Sequence, residues 1–232
     1  MPGDARLILF DCDGTLVDSH GQIVHAMQQA FVSCDVKPPN AVSVRRVIGL
    51  SLAEAVSRLQ SDEAQHDCIV EAYRGHYRAG EMGSSLFPGV RDTLQTLYER
   101  GYWLGIVTGK SRPGLLRVLD QLDLNPFFHV WRTADCCPSK PHPAMVEECM
   151  AEMGVGLHQT TVVGDACFDI QMAMACGVRA LAVSSGVESP DALRAAGAFD
   201  VVDEFTSLMA YFPLLHASHA APHWDSADNK HQ

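Results

Sequence analysis

Two pairs of acidic residues stand out, because each pair directly follows a short apolar run. Asp11 and Asp13 follow the run RLILF and precede Gly14, which permits a tight turn because it has no side chain. Two carboxylates held in one small volume repel each other unless a cation neutralises them or the two share a proton. Taken alone, this first pair is consistent with a metal site and equally with two solvated turn aspartates.

The second pair, Asp165 and Asp169, follows the run TTVVG and lies one turn apart at the predicted start of a helix. An aspartate at a helix N-terminus is a good cap, which accounts for one of the two residues and leaves the other unexplained. A hard cation that binds carboxylate oxygens accounts for both. We therefore predict that Asp165 and Asp169 bind a metal ion.

Groups that suit phosphate oxygens are found at two further places. Thr108, Gly109 and Lys110 offer a hydroxyl, a backbone amide and an ammonium just before a predicted helix, although a Thr-Gly turn can also serve only as a helix cap. Lys140 precedes two nearby prolines, which hold the backbone around it extended. An ammonium fixed in this way can balance a carboxylate or a phosphoryl oxygen, and we favour that role over a solvated surface lysine.

The apolar runs are predicted to be buried parallel strands at residues 6–10, 103–108, 128–133, 160–164 and 179–185. Segments with apolar positions three or four residues apart lie between them and predict helices at residues 90–100, 112–122, 143–153 and 169–176. This alternation predicts an α/β fold with a doubly wound parallel sheet. Because ligands bind at the carboxyl ends of such strands, the residues above are expected to meet there.

Residues 19–84 interrupt the alternation, since their apolar spacing is helical throughout. We predict a catalytic core of residues 1–18 and 85–215 and an inserted all-helical cap of residues 19–84. The two connections to the insert are expected to act as hinges, so that the cap covers the site. Residues 216–232 lose periodicity and are predicted to form a flexible, His-rich tail.

The net charge of −11 and a pI near 5.3 give an average field that repels phosphate backbones and anionic lipid. Nucleic-acid and membrane partners are therefore not expected. The first apolar run is too short for a signal peptide, so we expect a cytoplasmic protein whose eight cysteines are reduced and mostly structural. Zinc binding by His216, His219 and His223 is the alternative to an unstructured tail, and we favour the unstructured tail.

The motifs DxDGT, Thr-Gly, Lys-Pro and GDxxxD occur in that order and resemble those of the haloacid dehalogenase-type phosphatase superfamily. The segments LFDCDGTLVDS and VTGKSRPGL resemble its phosphoglycolate-phosphatase-like and phosphoglucomutase-like branch, and the resemblance extends to about Leu215. It implies a Rossmann-like core, Mg²⁺ as cofactor, and transfer of a phosphoryl group to an aspartate. It also implies that a helical cap follows the first motif.

By this resemblance, Asp11 attacks phosphorus, while Asp13 protonates the leaving oxygen and later deprotonates the attacking water. Lys140 offsets the negative charge, and the phosphoryl oxygens are held by Thr108, Gly109 and Lys110. The implied Mg²⁺ ligands are Asp11, the main-chain carbonyl of Asp13, Asp165 and Asp169. Dehalogenation is disfavoured, because dehalogenases of similar fold do not need an acid at the position of Asp13.

The expected reaction is hydrolysis of a small phosphomonoester, and 2-phosphoglycolate is the leading candidate substrate. The alternatives are a sugar phosphomutase of the β-phosphoglucomutase type, a pyrophosphate or nucleotide phosphatase, and a binding protein without activity. In the cap, the turn at Gly49 resembles a substrate-contacting turn, and Arg45 or Arg46 either meets a second anionic group or is simply solvated. The sequence is consistent with a monomer and with a homodimer.

Overall fold

The computed structural model describes residues 6–80, 85–186 and 188–215. Its centre is a six-stranded, all-parallel sheet with the strand order β5-β4-β1-β6-β7-β8. The strands are β1 (Leu7–Phe10), β4 (Trp103–Val107), β5 (Phe128–Arg132), β6 (Thr160–Gly164), β7 (Arg179–Val183) and β8 (Asp200–Val202). A separate two-stranded antiparallel ribbon pairs β2 (Val17–Asp18) with β3 (Ser85–Leu86).

Helices cover both faces of the sheet, and β1 explains why. All four of its side chains are buried, and because side chains alternate along a strand, Ile8 and Phe10 join one apolar cluster while Leu7 and Leu9 join another. The first cluster includes side chains of α5 (Val90–Glu99) and α6 (Arg112–Gln121), and the second includes side chains of α7 (Ala144–Met153), α8 (Cys167–Cys176) and α9 (Pro190–Ala195). The predicted doubly wound α/β fold is confirmed.

Four helices are described between β2 and β3, and we call them the cap. They are α1 (His20–Ser33), α2 (Ala41–Arg45), α3 (Leu52–Leu59) and α4 (His66–Gly80), with a 3-10 turn at Glu63–Gln65 before α4. They share an apolar core of their own, to which Met27, Phe31, Val56 and Ile69 contribute. The proposed division into a core of residues 1–18 and 85–215 and an insert of residues 19–84 stays a prediction.

One expectation about the cysteines is wrong. Cys34 and Cys68 form a disulfide, although all thiols were expected to be reduced. Cys34 directly follows α1 and Cys68 lies in the first turn of α4, and the close packing of these two helices brings the Cα atoms to 6.1 Å. This separation is within the range that a disulfide bridges. The other six cysteines are free.

Several elements differ from the sequence-based expectations. The strand β8 was not predicted, because the three residues Asp200–Val202 are too short to give a periodic pattern. The helix α9 was not predicted either, because its six residues make fewer than two turns. The ribbon of β2 and β3 was also missed, for the same reason. The predicted tail of residues 216–232 lies outside the described residues, and so do His216, His219 and His223. Among the helices that are described, none has the length and apolar character needed to cross a membrane.

Candidate active site

The three central strands of the sheet end side by side. β1 lies between β4 and β6, and all three run in the same direction, so the loops that follow them open on one edge of the sheet. These loops carry Asp11 and Asp13 after β1, residues 108–110 after β4, and Asp165 after β6. The loop between β5 and α7 adds Lys140. The structure therefore brings the predicted site residues to one place.

Three carboxylates form the centre of this site. Oxygen atoms of Asp11, Asp165 and Asp169 lie within 4.8 Å of one another, and all three residues are buried. The Thr15 hydroxyl donates a hydrogen bond to Asp165 Oδ1 at 2.6 Å, and the Ala166 backbone N–H donates one to Asp169 Oδ2 at 3.2 Å. These hydrogen bonds fix the positions of two carboxylates, while Asp11 is held by a different group.

Lys140 is the cation that joins two of the carboxylates. Its Nζ lies 2.5 Å from Asp11 Oδ1 and 2.6 Å from Asp169 Oδ1, and its side chain is fully buried. Burial by itself lowers the pKa of Lys140, but the attraction of Asp11 and Asp169 outweighs this effect and leaves the pKa raised. The ammonium is therefore charged, and it balances one of the three negative charges.

The three carboxylates carry more negative charge than Lys140 balances, and this excess is unfavourable in a buried position. Burial raises the pKa of Asp11 to about 7, with Lys140 opposing the shift and Asp169 adding to it. Burial also raises the pKa of Asp165 well above its ordinary value. Asp11 Oδ2 is buried and makes no hydrogen bond within the described part of the chain. This set of clustered, buried carboxylate oxygens fits a hard divalent cation such as Mg²⁺.

Asp13 lies in a second network on the cap side. Its Oδ1 accepts a hydrogen bond from the Ser19 hydroxyl at 2.5 Å and is 2.8 Å from Lys110 Nζ. Lys110 Nζ also donates to the hydroxyl of Tyr77 on α4, at 2.8 Å. Lys110 was predicted to bind phosphate, and in this structure it connects Asp13 to the cap. The Asp13 side chain is not one of the three clustered carboxylates, consistent with a predicted metal contact through its main-chain carbonyl.

Two glycines allow the close approaches that the site requires. Gly14 has a φ of +92°, and a Cβ there would collide with the Asp165 carboxylate and with His20. A Cβ on Gly109 would collide with the backbone carbonyl of Leu50 in the cap. Thr108 is buried beside Gly109, and its Oγ1 accepts a hydrogen bond from the Lys110 N–H at 3.2 Å. The cap loop before α3 therefore lies directly on the predicted phosphate-binding turn.

Several site residues were missed by the sequence analysis. Thr15 and Ser19 hold Asp165 and Asp13, and their only signal is a hydroxyl in the segment DGTLVDS. For Tyr77, the sequence shows only an aromatic residue within a predicted helix. Ser139, next to Lys140, accepts a hydrogen bond from the Ser51 N–H of the cap at 2.9 Å.

The cap arginines singled out by the sequence are placed differently from expectation. Arg45 and Arg46 are exposed, and neither belongs to the described residues that line the cavity between cap and core. Arginines of α4 and α6 line it instead, namely Arg74, Arg78 and Arg117. Gly49 does line the cavity, in agreement with its predicted position near the substrate. The idea that Arg45 or Arg46 meets a second anionic group of the substrate is therefore not supported.

Comparison with known proteins agrees with this arrangement. The family model described as haloacid dehalogenase-like hydrolase matches residues 8–183. A phosphoglycolate phosphatase of Pseudomonas fluorescens is 29% identical over 213 residues, covering 88% of this chain and 78% of that protein. The pyrophosphatase PpaX of Bacillus pumilus is 31% identical over 188 residues, covering 80% of this chain and 86% of that protein.

A solved structure shares the fold. The crystal structure of a putative haloacid dehalogenase-like hydrolase from Bacteroides fragilis superposes with a TM-score of 0.83 at 24% identity, covering 88% of this chain and 99% of that chain. The family match runs from the second residue of β1 to the last residue of β7 and includes all four motifs on which the resemblance rested. The resemblance is thus confirmed, and this chain belongs to the haloacid dehalogenase-like hydrolase family.

Proposed function

We propose that this protein is a Mg²⁺-dependent phosphatase that hydrolyses phosphomonoesters through an aspartyl-phosphate on Asp11. The observation that carries the proposal is the separation of the two aspartates of the first motif. Asp11 lies among the carboxylates and Lys140, with Oδ2 free of hydrogen bonds to the described residues, whereas Asp13 is held by Ser19 and Lys110. This difference supports Asp11 as the nucleophile and Asp13 as the acid and base.

In the first step, Asp11 Oδ2 attacks phosphorus and forms an acyl-phosphate bond while the bond from phosphorus to the ester oxygen breaks. Asp13, in its protonated form, donates its proton to that departing oxygen. The Thr108 hydroxyl and the Gly109 N–H donate hydrogen bonds to the phosphoryl oxygens. Lys140 balances the negative charge of Asp11 and of the phosphoryl group. Lys110 completes the positive surroundings and holds Asp13 in place.

In the second step, Asp13 takes a proton from a water molecule, which attacks phosphorus and breaks the acyl-phosphate bond. Inorganic phosphate leaves, and both aspartates return to their starting states. Asp11, the Asp13 main-chain carbonyl, Asp165 and Asp169 would hold Mg²⁺. When bound, the ion would supply the positive charge that lets an anionic ester approach an anionic carboxylate.

Three substrate classes follow from the relatives and from the shared chemistry. We propose 2-phosphoglycolate as the reference substrate, because a relative over most of the chain is a phosphoglycolate phosphatase. Pyrophosphate is the second candidate, because another relative is a pyrophosphatase. A phosphomutase would use the same aspartyl-phosphate but would require a sugar bisphosphate.

Charged esters of this kind do not cross membranes unaided, so we propose that the reaction takes place in the cytoplasm.

The test is phosphate release from a panel of phosphomonoesters and pyrophosphate, with Mg²⁺ and with a chelator. Asp11→Asn should lower kcat by at least about a thousandfold, because the amide oxygen is a poor nucleophile. Asp18→Asn is the matched control, since it is the same isosteric substitution at an exposed position on β2 near the site. Asp18→Asn should retain activity. Equal activity of Asp11→Asn and wild type would refute the proposal, and so would full turnover with the metal removed.

A further inference from the structure

A cavity of about 610 Å³ lies between the cap and the core. At its base it reaches Asp13, Gly109 and Lys110, while neither Asp11 nor Lys140 is among the described residues that line it. In the proposed reaction Asp13 protonates the departing oxygen, so the cavity adjoins the place of the leaving group. The residues that line the cavity therefore indicate which kind of leaving group the substrate carries.

The wall of this cavity is mostly apolar. Hydrocarbon and aromatic side chains of the cap line it, among them Val47, Ile48, Leu50, Leu52, Tyr73 and Tyr77. The rings of Tyr73 and Tyr77 stack with their centroids 5.6 Å apart. At the base, Lys110 Nζ lies 2.8 Å from Asp13 Oδ1, so its charge is directed at the residue that serves the departing oxygen.

Besides Asp13 and Lys110, five charged residues of the described chain line the cavity, and all five are exposed. They are Glu71, Arg74, Arg78, Arg117 and Asp135. Their exposure places them at the opening toward solvent. Arg74 is also paired with Glu71 on the same helix. The polar side-chain groups in the inner part of the cavity are thus the hydroxyls of Ser51, Ser111, Tyr73 and Tyr77 beside the pair of Asp13 and Lys110, and most of the other lining side chains there are apolar.

Size and polarity together favour a leaving group larger than that of 2-phosphoglycolate, the reference substrate named above. Cavities of about 300–1,000 Å³ enclose ligands of drug size, and glycolate has only two carbons. Glycolate would leave most of the apolar wall in contact with water. We propose that the preferred substrate is a phosphomonoester whose leaving group has a bulky, largely apolar, ring-bearing body. This inference rests on the proposed phosphatase function and names the substrate class of the same site.

The first test compares 2-phenylethyl phosphate with ethyl phosphate. Both are esters of primary alcohols, so their intrinsic reactivity is similar and the difference is the phenyl group. Burial of a group of that size should raise kcat/KM by at least about tenfold. Equal kcat/KM values would overturn the inference, and so would a higher kcat/KM for 2-phosphoglycolate than for 2-phenylethyl phosphate.

A variant tests whether the preference comes from this cavity. Ala53 lies on α3, is exposed and lines the cavity, so Ala53→Trp should place an indole ring in the space for the leaving group. The preference for the phenyl ester should then fall about tenfold. Ala151→Trp is the matched control, because Ala151 is exposed on α7 and does not line the cavity. A loss of preference in both variants, or in neither, would contradict the assignment, and melting curves identify a variant that fails to fold.

Binding of phosphonates separates this inference from the proposed function, because phosphonates are not hydrolysed. Calorimetry with Mg²⁺ should give a Kd for 2-phenylethylphosphonate at least about tenfold below that for ethylphosphonate. If no ester of the panel is hydrolysed, the proposed function fails, and the ratio of Kd values still tests whether the cavity prefers the ring-bearing body. Equal Kd values would overturn it even if both esters are hydrolysed.

Discussion

Replacement of Lys140 by methionine gives the sharpest test of the electrostatics. The change keeps the length and volume of the side chain but removes the ammonium that lies 2.5 Å from Asp11 and 2.6 Å from Asp169. All three side chains are at most 1% exposed, so solvent cannot take over the role of the ammonium. Removal of one partner from a buried ion pair costs about 3–5 kcal/mol, and we expect a loss of that size in the metal-free protein.

The loss should depend on pH in a defined direction. Burial already raises the pKa of Asp11 to about 7, and removal of Lys140 takes away the main influence that lowers it. A carboxyl with a raised pKa in the folded state keeps a proton that the unfolded state releases. Its contribution to stability is therefore present at low pH and is lost as pH rises through the folded-state pKa. The variant should be most destabilised at about pH 8 and less so at about pH 5.5.

The assay is urea denaturation of metal-free protein at both pH values, followed by circular dichroism. Lys37→Met is the matched control, because Lys37 is exposed and the same change there should alter the free energy of unfolding by less than about 0.5 kcal/mol. The double variant Lys140→Met/Asp169→Asn should recover part of the loss, since it also removes one of the carboxylates. A loss below about 1 kcal/mol at about pH 8, or an equal loss at both pH values, would refute the electrostatic reasoning.

Three further outcomes are expected. Asp13→Asn should lower kcat by about a hundredfold to ten-thousandfold in a variant that circular dichroism shows to be folded, and an active variant would exclude Asp13 as the acid and base. Alkylation of the denatured, unreduced protein should label six of eight cysteines by mass spectrometry, leaving Cys34 and Cys68, and eight labels would contradict the disulfide. Burial lowers the pKa of His129, so the free energy of unfolding of the wild type should fall, relative to that of His129→Gln, as pH falls through about 6.5. Parallel profiles of this free energy against pH would exclude the histidine as the cause.

The parts of the fold that the sequence predicted are those with a strong local pattern. The run LILF is apolar at every position, as a strand covered on both faces must be, and β1 has this environment. The acidic and hydroxyl residues directly after such runs were placed correctly at the strand ends, because a parallel sheet brings those ends together. Short elements such as Asp200–Val202 carry too few residues to show a period, so the sixth strand was missed.

The contacts that were not predicted join residues far apart in the sequence. The link from Asp13 through Lys110 to Tyr77 connects the first loop, the second loop and the cap, and no single stretch of sequence contains it. The disulfide between Cys34 and Cys68 likewise depends on how α1 packs on α4. Such pairings follow from tertiary packing, and the spacing of residues within one motif does not encode them.

The ribbon of β2 and β3 has a consequence for how this architecture diversifies. Val17 pairs with Leu86 and Asp18 with Ser85, so the chain leaves for the cap and returns from it at adjacent positions. An insertion whose two ends lie side by side can be lengthened, shortened or exchanged without moving the strands beneath it. Lineages that keep the same bond-breaking apparatus are thus free to acquire new selectivity by replacing a single module. In this arrangement, chemistry and choice of substrate can be inherited separately.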